Sequence, residues 1–162
     1  MDNESLNSLA KLIAQQRTAA LGTLHQGTPY VSLVLIVPSP GFQTFDFHIS
    51  TLSVHTQDLM KDPRCSLLIV EPDHLERDPQ TLARLTLFGL AQQLPQDSPN
   101  YPAARDRYLA RFPQSAQLFN FKDFSMFRFT PDGARFVAGF ARAFNLSNSQ
   151  FEQAARLAGW LP

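Results

Sequence analysis

Leu6, Leu9, Leu12 and Ile13 recur at helical spacing within residues 5–16, so the chain is expected to open with a short amphipathic helix. The period then changes. Residues 18–24 (TAALGTL) and 30–37 (YVSLVLIV) read as two strands, and His25-Gln26-Gly27-Thr28-Pro29 between them offers a glycine for a hairpin turn. The second strand is apolar on both faces. Val31, Leu33, Leu35 and Val37 point one way, Tyr30, Val34 and Ile36 the other, and Ser32 is the polar exception. A strand of a small antiparallel sheet usually wets one face. This one predicts a cover for its second face, either the chain's own helices or a partner subunit.

Residues 45–49 (FDFHI) alternate as a third strand. A run of hydroxyls and a short helix follow within residues 50–60, stopped by Asp62-Pro63. Residues 66–70 (SLLIV) read as a buried strand, 71–80 as a polar loop and 82–94 as a long strand, in which Gly89 signals a bulge or a close backbone approach. Residues 101–112 predict a helix that ends before Pro113. Residues 124–130 and 134–140 flank Pro131-Asp132-Gly133 and predict a final hairpin. Ser149 and Glu152 have capping-box spacing ahead of a last helix, placed at 149–158 with its body from Gln150. Six or seven strands, mostly joined as hairpins and ringed by three or four helices, predict a mainly β fold with an antiparallel barrel. One domain over residues 1–162 is expected, with its barrel at about 18–142.

Composition narrows the function classes. With 162 residues and 44% of them hydrophobic, the chain can bury a core without disulfides. Its 14 basic and 14 acidic residues cancel, which gives no general drive toward nucleic acid or an anionic membrane. No apolar run approaches the ~20 residues needed to span a bilayer. The acidic start Met1-Asp2-Asn3-Glu4 is unlike a secretory signal. The single cysteine, Cys65, points to a reducing cytoplasm and reads as a small buried hydrophobe. Fourteen phenylalanines suit a thick core or apolar subunit contacts.

No nucleophile elbow, dinucleotide loop, P-loop or zinc spacing is present. The informative stretch is His48-Ile49-Ser50-Thr51-Leu52-Ser53-Val54-His55-Thr56-Gln57-Asp58-Leu59, which places hydroxyls and two histidines at a strand-to-helix junction. Free N–H groups at a helix start, hydroxyls and a cationic histidine suit a phosphate. Ordinary capping by Ser53 explains the same residues.

The run HISTLSVHTQDLMKDPRCSLLIV resembles the third strand, short helix and fourth strand of the FMN-binding split barrels related to pyridoxamine 5'-phosphate oxidase. The resemblance implies that Ser50, Thr51, Ser53 and His55 hold the FMN phosphate. ARLTLFGLAQQL is similar to the family's next long strand and places Arg84 near the flavin ring; YVSLVLIV places Val31, Ser32 and Leu33 there. The segment ending Gly139-Phe140-Ala141-Arg142-Ala143 is similar to the last turn of the haem-utilisation branch, with Ala141 where that branch has glycine, and adds Phe140 and Arg142 to the cofactor set. Arg84 or Arg142 would steady negative charge on reduced flavin. An ion pair of Arg84 with Glu76 or Asp78, and a solvated turn for Arg142, are the plainer alternatives.

The resemblance therefore implies a split barrel, FMN as cofactor, a homodimer with FMN at its joint, and oxidoreductase activity on a small molecule. Ser53-Val54-His55 stands where the pyridoxamine-phosphate oxidases carry a basic cluster, so their own substrate is not expected. The haem branch often continues into a second C-terminal domain, which is not expected after Pro162. Haem binding or breakdown is the alternative, with His25, His48, His55 and His74 as candidate axial ligands. A non-catalytic flavin-binding or sensing protein is the third reading.

Overall fold

The structure, a computed structural model, describes residues 1–140 and 142–161. Ala141, expected to depart from the family's turn, and Pro162, the last residue of the expected domain, lie outside the described residues.

The chain opens with α1 (Asn3–Gln15), capped by Asp2, whose carboxylate accepts the Ser5 N–H at 2.7 Å. Leu9, Leu12 and Ile13 are its buried face. The strands are β1 (Thr18–His25), β2 (Thr28–Leu35), β3 (Val37–Pro38), β4 (Phe45–Ser50), β5 (Arg64–Val70), β6 (Arg84–Gln93), β7 (Phe124–Val137) and β8 (Ala143–Asn145). Between them lie α2 (Val54–Lys61) and α3 (Tyr101–Arg111), and α4 (Asn148–Leu157) follows β8. All ladders are antiparallel, in the order β2-β1-β5-β6-β7-β4-β3, with β8 also paired to β7. One residue separates β2 from β3, yet they stand at opposite ends of that order. The sheet therefore curls round until its ends meet, which makes a split barrel.

Alternation decides what fills it. Leu21, Ile36, Phe45, Phe47, Leu67, Leu85, Leu87, Phe129 and Phe136 are fully buried, and the rings of Phe47 and Phe127 stack at 6.2 Å. Each such side chain contributes roughly 1.5–3 kcal/mol of burial. A second, smaller core lies outside β4 and β7, where Ala104, Tyr108 and Phe112 of the α3 segment cover Val37, Leu94 and Met126.

Strand and helix positions follow the hydrophobic pattern, with three corrections. First, no hairpin forms at Pro131-Asp132-Gly133. β7 runs unbroken through them. Phe88 pairs with Gly133 and Gly89 with Pro131, so Asp132 is an extra residue and the turn-like triplet is a β-bulge. The reversal comes later, at Gly139 with φ 130°, and leads into β8. The bulge expected at Gly89 is present, and its partner is this triplet. Second, the capping box of α4 is Ser147 and Gln150 rather than Ser149 and Glu152; the Ser147 N–H donates to Gln150 Oε1 at 2.9 Å. Glu152 instead accepts from Gln43 Nε2 at 2.7 Å. Third, the chain's own helices do not cover the outer face of β2. Val34 and Ile36 are buried, whereas Val31 is 67% and Leu33 69% exposed.

Candidate functional site

The expected cofactor residues fall into three places. The first is the junction of β4 and α2. Ser50 Oγ donates to Asp123 Oδ2 at 2.6 Å and accepts the Leu52 N–H at 3.1 Å. The Thr51 N–H donates to the Asp123 carbonyl at 2.6 Å. Ser53 is the N-cap residue of α2, but its hydroxyl makes no cap bond. His55 Nε2 is buried with no hydrogen-bond partner among the described residues. Burial pushes the His55 pKa below its ordinary value, against the pull of Asp58, so the ring is neutral at neutral pH. Asp58 is itself buried and accepts from Thr23 Oγ1 at 3.0 Å, with His25 Nδ1 2.9 Å away. The one basic residue at an end of α2 is Lys61, in its last turn. The junction is thus polar and, at Asp123, anionic.

The second place is β2. Ser32 faces the barrel interior, opposite Leu21, and its hydroxyl is buried without a partner among the described residues. Val31 and Leu33 face outward and continue across the sheet in two rows. One row is Val31, Gly22, Ser66, Phe88 and Gly133; the next is Leu33, Ala20, Leu68, Thr86 and Arg135. Small residues on β1 leave this outer face shallow and apolar, with Phe88 and Leu68 also exposed.

The third place is an open cleft of about 760 Å³ at the Arg135 end of the second row. Arg84, Arg135, Arg142 and Phe140 line it beside Val70 and Val137. Arg84 Nη1 donates to the carbonyls of Leu82 at 3.1 Å and Gln80 at 3.3 Å. It does not pair with Glu76 or Asp78; Glu71 pairs with Arg77 at 3.1 Å instead. Arg135 Nη1 donates to Asn145 Oδ1 at 3.0 Å. Arg142 makes a two-armed pair with Glu4, at 2.8 and 3.2 Å, and the hydrogen bond and charge of Glu4 raise its pKa. Phe140 is 77% exposed. Arg84, Phe140 and Arg142, expected from separate segments, do come together here. Arg135 was not singled out in sequence, because its segment reads as the return strand of a hairpin; only the correct β6–β7 register puts it beside Arg84.

The histidines lie elsewhere. His48 stacks on Phe119 at 3.8 Å with Tyr108 at its edge, and burial pushes its pKa down to about 4. His25 belongs to the Asp58 group, and His74 lines a separate groove beside α1. No histidine lines the arginine cleft among the described residues. The Cys65 thiol is pushed up to about 12 by burial, which removes it as a nucleophile. Among the described residues no group of three His, Cys, Asp or Glu side chains is set to hold a metal ion, and no helix is long and apolar enough to cross a membrane.

Comparison with known proteins adds to this geometry. The family model described as pyridoxamine 5'-phosphate oxidase matches residues 7–138. The chain is 39% identical over 107 residues to the non-canonical heme oxygenase HOZ, chloroplastic, of Arabidopsis thaliana, a match covering 65% of this chain and 30% of that protein. It is 27% identical over 135 residues to the heme oxygenase HutZ of Vibrio cholerae, covering 82% and 76% of the two chains. A solved heme binding protein from Mycobacterium smegmatis superposes with a TM-score of 0.79 at 26% identity, over 94% of this chain and 61% of that one. This chain therefore spans less than a third of its plant relative's length.

Proposed function

This chain belongs to the pyridoxamine 5'-phosphate oxidase family, and we propose that within it the chain binds haem and takes part in haem breakdown. Two relatives named as heme oxygenases and the fold of a heme binding protein support this reading over an FMN-dependent oxidoreductase. The observation that carries it is the cleft, with Arg84 and Arg142 beside Phe140 and an apolar wall. Haem is a flat, mostly apolar ring with carboxylates on one edge. Guanidinium groups match carboxylates in charge and shape, and an exposed phenylalanine offers its face to a ring. The residues present fit the ring and its carboxylate edge; among the described residues the cleft has no histidine to ligate the iron.

The junction expected to hold an FMN phosphate fits less well. A dianionic phosphate there meets the Asp123 carboxylate, which already takes the Ser50 hydroxyl, and a neutral His55. FMN is nevertheless the second reading, because the Ser53 hydroxyl is not used as a cap and His55 Nε2 has no partner among the described residues.

When bound, haem supplies the redox-active iron for oxygen chemistry on its own ring. The chain's part is to bind and orient it. Arg84 would donate to the carboxylate edge, Phe140 would pack on the ring, and Arg142, held by Glu4, would line the cleft beside them. The outer face of Val31, Leu33 and Leu68 is best covered by a second copy of this chain, which would keep water from the adjoining cleft. A homodimer in a reducing cytoplasm is part of the proposal.

The test is an absorption titration of purified protein with haem and, separately, with FMN. A Soret band that stays with the protein through gel filtration, and weakens in Arg84→Gln, is the expected result. Retained FMN with no retained haem would replace this reading by the second.

A further inference from the structure

The strand register carries a more specific assignment, which deepens the haem reading and rests on it. We infer that Arg135, together with Arg84, forms a two-armed clamp for a ligand carrying two separate carboxylates on one edge.

Three observations meet at this pair. The first is position. Arg84 pairs with Val137, and Thr86 pairs with Arg135. Arg84 and Arg135 thus stand on adjacent strands, on the same outward face, as diagonal neighbours. Diagonal neighbours across an antiparallel ladder lie about 7–8 Å apart. Both line the one cleft. The second is charge. Arg142 is balanced by Glu4. Arg84 spends its bonds on two backbone carbonyls, and Arg135 spends one on a neutral amide. Neither has a carboxylate partner among the described residues, so the cleft holds two positive charges without counter-ions. The third is the wall. Val70, Leu82, Val137 and Phe140 give the cleft an apolar wall beside the arginines.

Two cations on separate strands beside an apolar wall ask for a ligand with two charges held apart and a flat apolar body. A phosphate monoester concentrates its charge at one point and would use converging donors. A tetrapyrrole with two propionate arms spreads it. Each guanidinium can take one carboxylate through paired N–H donors. Arg135 is then the residue that distinguishes a dicarboxylate edge from a single anion.

The experiment compares haem with haem dimethyl ester, whose propionates are uncharged, by Soret titration of wild type, Arg135→Gln and Arg135→Lys. Arg135 is exposed, so both variants are expected to unfold at the wild-type temperature, which is measured alongside. Wild type should bind haem roughly tenfold or more tightly than the ester. Arg135→Gln should weaken haem several-fold, leave the ester unchanged and shrink the preference to the part that Arg84 holds alone. Arg135→Lys should recover part of it. Equal haem affinity in wild type and Arg135→Gln would overturn the clamp while leaving haem binding intact, as would a variant that loses haem and ester equally. A wild type that binds neither haem nor ester would sink the haem reading itself. FMN retention lost in Arg135→Gln, by a wild type that ignores haem, would show that the pair holds a phosphate and overturn the dicarboxylate assignment.

Discussion

Gly89 pairs with Pro131 across the β6–β7 ladder at the point where the register slips past Asp132. A Cβ on Gly89 would fall against the Thr130 carbonyl oxygen, the Pro131 Cα and the Asp132 nitrogen, all backbone atoms. A Cβ on Gly133, one step along β7, would meet only the tip of the Phe88 ring. That ring is half exposed and free to swing. Gly89→Ala is therefore expected to cost about 2–3 kcal/mol, as overpacking against rigid neighbours does, and Gly133→Ala less than about 1 kcal/mol. Urea unfolding of the two variants checks the order. Equal losses would mean that the bulge tolerates a side chain at Gly89.

The same bulge separates what the sequence makes legible from what it hides. Strands such as 66–70 and 82–94 declare themselves, because alternation and β-branched residues report burial directly. Pro131-Asp132-Gly133 carries every local mark of a turn, yet local chemistry does not distinguish a turn from a bulge. The choice belongs to β6, whose glycine lets the Thr130 carbonyl approach. β3 and β8, two and three residues long, are too short to show a period at all. The site divides in the same way. Arg84, Phe140 and Arg142 come from resemblance to a family, and the fold brings them to one cleft. Arg135 becomes visible only in register.

Asp46 is fully buried on the outer side of β4 and holds two arginines. Arg128 grips it through Nε at 2.7 Å and Nη2 at 3.0 Å, and Arg107 of α3 reaches it at 3.1 Å. The carboxylate thus ties α3 to the sheet. Asp46→Ala leaves two guanidinium groups facing each other over an empty site and should cost about 3–5 kcal/mol. Arg107→Met leaves the Arg128 pair whole and should cost clearly less. Guanidinium chloride midpoints decide between them, and equal shifts would assign the tie to Arg107.

His48 gives the protein a pH dependence of known sign. Its folded pKa is pushed down to about 4 from 6.5, because stacking on Phe119 and closure by Tyr108 bury the ring. Between these values the unfolded chain binds the proton that the folded chain refuses. Stability from this group is full above about pH 6.5 and is lost as pH falls toward 4, by up to ~3 kcal/mol. His48→Phe removes the titration and keeps a ring against Phe119. Its unfolding free energy should fall less between pH 7 and pH 4.5 than that of wild type, and parallel curves would exclude His48 as the source.

The outer face carries the last prediction. Val31, Leu33, Leu68 and Phe88 are exposed together on three strands, β2, β5 and β6, with the small residues of β1 between β2 and β5, and not scattered singly over the surface. A stable dimer needs roughly 800 Å² from each partner, and burying a flat face of this kind is a direct way to supply it. Light scattering at low micromolar concentration should therefore report a dimer. Leu33→Asp puts a charge at the β2 end of that face, where Leu33 and Val31 are its most exposed aliphatic residues, without touching the barrel interior. It should yield a folded monomer, with an unchanged circular dichroism spectrum. Leu75→Asp, at a fully exposed loop residue, is the control and should leave the dimer intact. Leu33 shares its row with Arg135 at the cleft. The monomer should consequently bind haem more weakly than the dimer, because the cleft loses the neighbour that keeps it dry. A monomeric wild type would remove the dimer from the proposal. A monomeric Leu33→Asp with full haem affinity would leave the dimer but place the whole of the haem site within one chain.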